Sequence, residues 1–431
     1  MEKKREMRII RNEEELEGFL LLLKERAGGV SEEIVNVVSG IVSDVRMRGD
    51  RAVREYTGRF DGLETENLRI GLREIKAIAG KADPEGVEAL KMAAGRIRGF
   101  HLRQKEESWS YREGGAMLGQ IIRPIQRVGV YVPGGKASYP STVLMNVIPA
   151  QVAGVRELAL CVPTPKGEVN PYVMAAISLL GVREVYRVGG AQAIAAMACG
   201  TETIRKVDKI VGPGNIYVAT AKRMVFGEVD IDMIAGPSEV LIIADRTAPP
   251  EFVAADLLSQ AEHDELASSV LVTSSERLAL RVSEEVRIQL KDLGRREIAE
   301  ASLRNFGAII VTGTLGRAVR LANLIAPEHL EIMTEKPEKL LPQIQNAGAI
   351  FLGKWTPEAL GDYAAGPNHT LPTGGTARFF SPLGVYDFVK RSSLLSFSKQ
   401  SFQRLSSVVE TLSELEGLEA HGKAVKVRKG G

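Results

Sequence analysis

Cysteine is almost missing from this chain of 431 residues: Cys161 and Cys199 are the only two. Two thiols make no disulfide framework, and the sequence predicts a reducing compartment, the cytoplasm. Histidine is scarce too, with five in all, at positions 101, 263, 329, 369 and 421. No apolar run approaches the roughly 18 residues of a membrane span. The leucine run at 20–23 is short, has charges close on both sides and precedes no small-residue cleavage pattern, which predicts no signal peptide. An excess of one charge is also lacking: 56 Lys and Arg against 54 Asp and Glu leave +2. That excludes the basic footprint of a nucleic-acid binder. The basic residues near the ends, Lys3, Lys4 and Arg5 and then Lys423, Lys426, Arg428 and Lys429, read as solvated termini.

What is present suits a soluble enzyme: 44% hydrophobic and 26% charged residues, in a chain long enough for about two to four domains. Up to about residue 119 the pattern is mainly helical, with apolar residues at helical spacing over 31–43 and 84–97. From 128 onward β-branched runs alternate with helical stretches. Strands are predicted at 128–132, 157–162, 184–188 and 209–211, with helices at 141–152, 171–180, 191–198 and 215–225 between and after them. The rhythm repeats with strands at 240–244, 269–272, 308–311, 329–333 and 348–352, and helices at 250–261, 276–293, 315–325 and 337–346. This predicts an α/β protein of two doubly wound domains, with ligands in a crevice at the carboxyl ends of their strands. Residues 353–384 lose periodicity and read as a long functional loop; 401–415 reads as an amphipathic helix.

Several residues can carry chemistry. Gln260 and His263 stand three apart at a helix end, so both project from one face and can reach a metal; the alternative is a histidine capping the helix dipole. Asp362 beside Gly361 can complete a metal site or merely form a turn. His421 is either a ligand or an exposed tail residue. Glu328 and His329, after Pro327, offer two adjacent proton acceptors. Strand neighbours point to opposite faces, so one shared site requires irregular backbone there. Three glycine turns follow strands: Pro133-Gly134-Gly135, Gly189-Gly190-Ala191-Gln192 and Gly212-Pro213-Gly214-Asn215. They suit a dinucleotide phosphate or are ordinary βα turns, since the full dinucleotide fingerprint is absent. Both cysteines read as core residues rather than nucleophiles.

Eight stretches, in order along the chain, resemble the histidinol dehydrogenase family. They are Gly129-Val130-Tyr131-Val132-Pro133-Gly134-Gly135, Gly189-Gly190-Ala191-Gln192-Ala193-Ile194-Ala195, Gly212-Pro213-Gly214-Asn215, Ala235-Gly236-Pro237-Ser238-Glu239-Val240, Gln260-Ala261-Glu262-His263, Pro327-Glu328-His329-Leu330, Gly366-Pro367-Asn368-His369 and Glu416-Gly417-Leu418-Glu419-Ala420-His421. The resemblance implies a cytoplasmic, zinc- and NAD-dependent enzyme of histidine biosynthesis that oxidises L-histidinol through L-histidinal to L-histidine. It implies zinc on Gln260, His263, Asp362 and His421, and NAD contacts from Tyr131, Gln192 and Asn215. Substrate contacts would come from Ser238, Gln260, His263, His329, Asp362, Glu416 and His421. Glu328 would activate water and His329 would act as general base. The implied fold is two incomplete Rossmann-like domains with small terminal segments: 1–25; 26–130 with 240–382; 131–239; and 383–431. The last segment would reach the partner's active site in a homodimer. The rival readings are a relative on the same scaffold acting on another polar alcohol, a zinc hydrolase using Glu328 and His329, and a metabolite-binding protein.

Overall fold

The computed structural model describes residues 7–134 and 139–429. Lys3, Lys4, Arg5 and Gly135 lie outside the described residues. In chain order the strands are β1 (Arg8–Ile10), β2 (Trp109–Glu113), β3 (Ala116–Pro124), β4 (Arg127–Tyr131), β5 (Glu157–Cys161), β6 (Glu184–Tyr186), β7 (Lys209–Val211), β8 (Asp230–Ile231), β9 (Glu239–Ala244), β10 (Ser268–Thr273), β11 (Ala308–Val311), β12 (His329–Met333), β13 (Ala349–Leu352) and β14 (Val389–Phe397). They form a five-stranded sheet in the order β6-β5-β4-β7-β8 and a six-stranded sheet in the order β1-β11-β10-β9-β12-β13. Every pairing in both is parallel. Each sheet therefore grows outward in both directions from its first long strand, β4 or β9, which is the doubly wound arrangement the alternating pattern predicts.

The period-2 pattern explains the layers. Val240, Ile242 and Ala244 enter the core beneath the helices Pro250–Ala261 and Glu276–Gln289, while Leu241 and Ile243 enter the opposite core. β4 divides likewise, with Val128 and Val130 on one face and Tyr131 on the other. Both faces of each sheet are covered, so the strands read as nearly continuous apolar runs.

Packing divides the chain differently from the sequence reading. Residues of 32–101 join the cores of the five-stranded sheet: Val38, Ile41 and Val53 on one face, and Ile75, Ala93 and Ile97 on the other. The resemblance groups them with 240–382 instead. β1 instead pairs with β11, and Leu16 and Phe19 pack on the six-stranded sheet, so the amino-terminal segment belongs there. Sequence patterning does not reveal this, because a helix's apolar face says that it packs and not on which sheet.

Three further expectations change. The stretch 109–124 is a β2–β3 hairpin, completed by β14 into an antiparallel sheet. β2 is exposed throughout, so it carries no burial alternation to detect. The helix expected at 337–346 is two short 3-10 turns, Pro337–Lys339 and Leu341–Gln343, because Pro342 supplies no amide hydrogen. The long loop contains a helix, Glu358–Tyr363.

The turn after β7 is clamped. Gly212 has φ +112°, and a Cβ there would overlap the carbonyl oxygen of Tyr131. Its N–H donates to Asp232 Oδ2 at 2.7 Å, and its carbonyl accepts from Lys222 Nζ at 3.0 Å. Lys222 and Asp232 are themselves paired and buried. Hydrogen bonds to the peptide give both charges further partners, which offsets part of their desolvation. Gly212→Ala should lower the unfolding free energy by about 2–4 kcal/mol, read from denaturant titration. A variant as stable as wild type would refute the close approach.

Candidate functional site

In the six-stranded half the chemistry gathers at the amino ends of the strands, not at the carboxyl ends expected. The reason is topological. The helix Pro250–Ala261 returns from the carboxyl end of β9, so its own end, with Gln260 and then His263, arrives beside the starts of β9 and β12. The five-stranded half presents its carboxyl ends, with Tyr131 closing β4 and the turns at Gly189 and Gly212 following β6 and β7. The halves meet in a cleft of about 460 Å³, whose walls include Tyr139, Ser141, Glu262, His263, Arg295 and Tyr363. Hydrogen bonds cross between the halves from Asn368 Nδ2 to Met145 O at 2.6 Å and from Arg96 Nε to Ala364 O at 2.7 Å.

Glu328 and His329 share one site because the backbone is irregular before β12. Ala326 is left-handed, at φ +54°, and Pro327 follows. Both side chains then grip Glu239 at the start of β9. Glu328 Oε2 accepts from the Glu239 amide at 2.9 Å, and His329 Nδ1 lies 3.0 Å from the Glu239 carbonyl oxygen. A carbonyl can only accept, so Nδ1 carries the hydrogen. In the neutral ring this leaves Nε2 as the acceptor. Nε2 is buried without a hydrogen-bond partner among the described residues, and Asp362 Oδ1 lies 3.5 Å away.

The short helix Glu358–Tyr363 supplies two carboxylates, Glu358 and Asp362, four apart and therefore on one face. Its start is held by the Glu358 N–H donating to Glu331 Oε1 at 2.7 Å. Ligand atoms of His263, Glu358 and Asp362 all lie within 4.8 Å of one another. With its nitrogen facing Glu358, the fully buried Gln260 amide donates to both carboxylate oxygens, at 3.2 and 2.8 Å. His369 Nδ1 lies 2.9 Å from the Asp362 carbonyl oxygen, which ties the loop to this helix.

The electrostatics follow from burial. Desolvation pushes Glu328 up to about 7 and Glu358 up to about 8, against the pull of His329. Burial alone would lower His329, but Glu358, Glu328 and Asp362 together hold it well above the usual imidazole value. Burial would raise Asp362, but the neighbouring His329, with smaller contributions from His369 and His263, keeps it below the ordinary carboxylate range. His263 and His369 are lowered, chiefly by burial.

Five sequence candidates thus converge: Gln260, His263, Glu328, His329 and Asp362. Ser238 adjoins Glu239, where its carbonyl accepts from Ser268 N at 3.0 Å. Tyr131 and Gln192 meet at the glycine turn: the Tyr131 hydroxyl accepts from Gly190 N at 3.1 Å, and both polar atoms of the buried Gln192 amide lack partners among the described residues. Asn215 caps its own helix, accepting from Tyr217 N and Val218 N. Glu416 and His421 stay apart, exposed on the carboxyl-terminal helices, and no hydrogen bond or ion pair among the described residues joins either to the cluster. Sequence reasoning missed Glu358, Glu331 and Glu239. The spacing of Glu358 from Asp362 was visible, but it means one face only once 358–363 is known to be helical. Cys161 behaves as a core residue, its thiol pushed up to about 12 by burial.

A nitrogen and two carboxylates in reach of one point form a donor set suited to zinc. In the metal-free chain Asp362→Asn should move the His329 titration to lower pH, seen in its ring-proton NMR shifts, because one of three carboxylates favouring the imidazolium is gone. An unmoved midpoint would refute that coupling.

The sequence profile of the histidinol dehydrogenase family matches residues 24–429. The histidinol dehydrogenase of Syntrophotalea carbinolica is 58% identical over 92% of this chain and 93% of its own, and that of Bacillus subtilis 53% over 95% and 96%. The crystal structure of histidinol dehydrogenase from Elizabethkingia anophelis superposes with a TM-score of 0.93, at 40% identity, covering 98% of both chains. This chain therefore belongs to the histidinol dehydrogenase family, oxidoreductases acting on alcohol and aldehyde groups.

Proposed function

We propose that the protein oxidises L-histidinol to L-histidine through L-histidinal, with zinc in the site and two NAD consumed per histidine, as a cytoplasmic step of histidine biosynthesis. The observation that carries this reading is the convergence of two proton acceptors, Glu328 and His329, with the His263–Glu358–Asp362 cluster, at a cleft whose other wall carries Tyr139 and Ser141, just past β4. Gln260, His263 and Asp362, with His421 of the partner subunit, would hold the zinc; Glu358 orients Gln260. Tyr131, Gln192 and Asn215 lie at turns suited to the dinucleotide, and the unpartnered Gln192 amide fits a ligand contact. When bound, zinc would orient the substrate and the nicotinamide ring would accept hydride.

The chain's own residues do the proton work. His329 Nε2 takes the alcohol proton as the carbon–hydrogen bond breaks, leaving the aldehyde. Glu328, held near neutrality by burial, takes a proton from the water that adds to the aldehyde carbonyl. His329 returns its proton to the carbonyl oxygen as the water adds, and so is free to take a hydroxyl proton of the hydrate in the second oxidation, whose hydride would go to a second NAD. Ser238, Gln260, His263, His329 and Asp362, with Glu416 and His421 from a second chain, contact the substrate. The exposed carboxyl-terminal helices support such an exchange: Leu405, Val408, Leu412 and Leu415 are apolar and uncovered in one chain.

NADH formed from L-histidinol should reach two per histidine, vanish with a chelator and return with zinc. No NADH with metal bound would overturn the reading. His329→Asn should slow both oxidations on the order of 100-fold or more. Glu328→Gln should mainly slow the aldehyde step. In wild type that step should rise with pH through about 7, as Glu328 loses its proton, and the rise should disappear in Glu328→Gln. Equal losses in both steps would refute the division of roles. Chains ending at 415 should be inactive alone but regain activity when mixed with His329→Asn chains, whose tails complete intact sites. Failure of mixed dimers to turn over would refute the exchange.

A further inference from the structure

Asp61 is the last residue of the helix Asp50–Asp61. A carboxylate there faces the negative end of the helix dipole. Its Oδ2 is sealed from solvent with no hydrogen-bond partner among the described residues, and burial raises the carboxyl. Among the described residues no ion pair compensates for this placement. A group held at such a cost without a partner points to one that arrives later.

Its surroundings identify the visitor. Asp61 Oδ2 lies 3.3 Å from where a Cβ on Gly189 would stand, and the Pro163 ring lies 2.8 Å from the same point. Asp61 therefore reaches the glycine turn from outside the sheet. Two more sealed, unpartnered groups belong to the same neighbourhood, Thr164 Oγ1 beside Pro163 and the Gln192 amide beyond the turn. β5 is the second strand of the order β6-β5-β4-β7-β8. In doubly wound dinucleotide folds an acidic residue beyond that strand accepts the ribose 2′-hydroxyl. Here Pro163 and Thr164 follow β5, so no carboxylate comes from the strand itself. Asp61 brings one to the same place from a different element.

We propose that Asp61 accepts hydrogen bonds from the adenosine ribose hydroxyls of the bound dinucleotide and, by repelling a 2′-phosphate, selects NAD over NADP. This rests on the dinucleotide reading above. A charge-assisted bond of this kind sets the size of the effect, about tenfold in affinity. Asp61→Asn keeps the shape and removes the charge. The Michaelis constant for NAD should rise about tenfold with kcat within about twofold, and the preference for NAD over NADP should shrink at least as much. The melting temperature should hold or rise, because no folded-state partner is lost. An unchanged preference, or a loss of NAD affinity that only tracks a fall in melting temperature, would overturn the assignment. Calorimetric titration with ADP-ribose and its 2′-phosphate separates this from failure of the functional reading. If wild type reduces neither dinucleotide, weaker ADP-ribose binding by Asp61→Asn still supports the role, and equal binding removes it.

Discussion

The feature on which the site depends is the crowding of buried carboxylates around one imidazole. Glu328 and Glu358 are sealed inside the protein, Asp362 is nearly so, and all three lie within 4 Å of His329. Ligand oxygens of Glu358 and Asp362 lie within 4.8 Å of each other, where two like charges repel by about 3–4 kcal/mol even at an effective dielectric of 20. The chain meets this in the ways open to it: protons stay on some acids, His329 keeps its own, and amide groups of Gln260 and Glu239 point their hydrogens inward. A cation held by His263 and Asp362 would relieve the same repulsion and free the His329 ring. The demand for positive charge is thus built into the folded chain, which makes metal binding and proton affinity two expressions of one balance.

The architecture serves that balance by opposing unlike ends of two sheets. The six-stranded half contributes helix ends and strand starts; the five-stranded half contributes strand ends and helix starts. The latter carry the positive ends of helix dipoles, which suit anions, and the former carry the acids. A cleft with these opposed walls would suit an anionic ligand on one side and a cation on the other without either wall having to change character.

Much of this was legible in the amino-acid order, for identifiable reasons. Strands such as β9 and β12 are buried on both faces, so their sequences are apolar runs bounded by turns. Gln260 and His263, three apart, do reach one cluster, although the helix stops at Ala261 and His263 stands in the turn after it. Glu358 was hidden because a six-residue helix is too short to establish a period amid glycine and proline. Glu239 was hidden for a different reason: its part in holding Glu328 and His329 is played by its backbone amide and carbonyl, which nearly any residue could supply. The direction in which the site faces was also not legible, since it depends on which side of the second sheet meets the first.

The double grip on Glu239 has a consequence for how such an enzyme can change. One residue of β9, through its amide and its carbonyl, fixes both the residue proposed to serve the alcohol and the residue proposed to serve the aldehyde. A shift in that strand displaces the two together. Natural variation there would be judged on both oxidations at once, so descendants of this scaffold could not easily trade one step for the other by moving the backbone. Divergence would have to come from the side chains instead, leaving the strand as a common ruler.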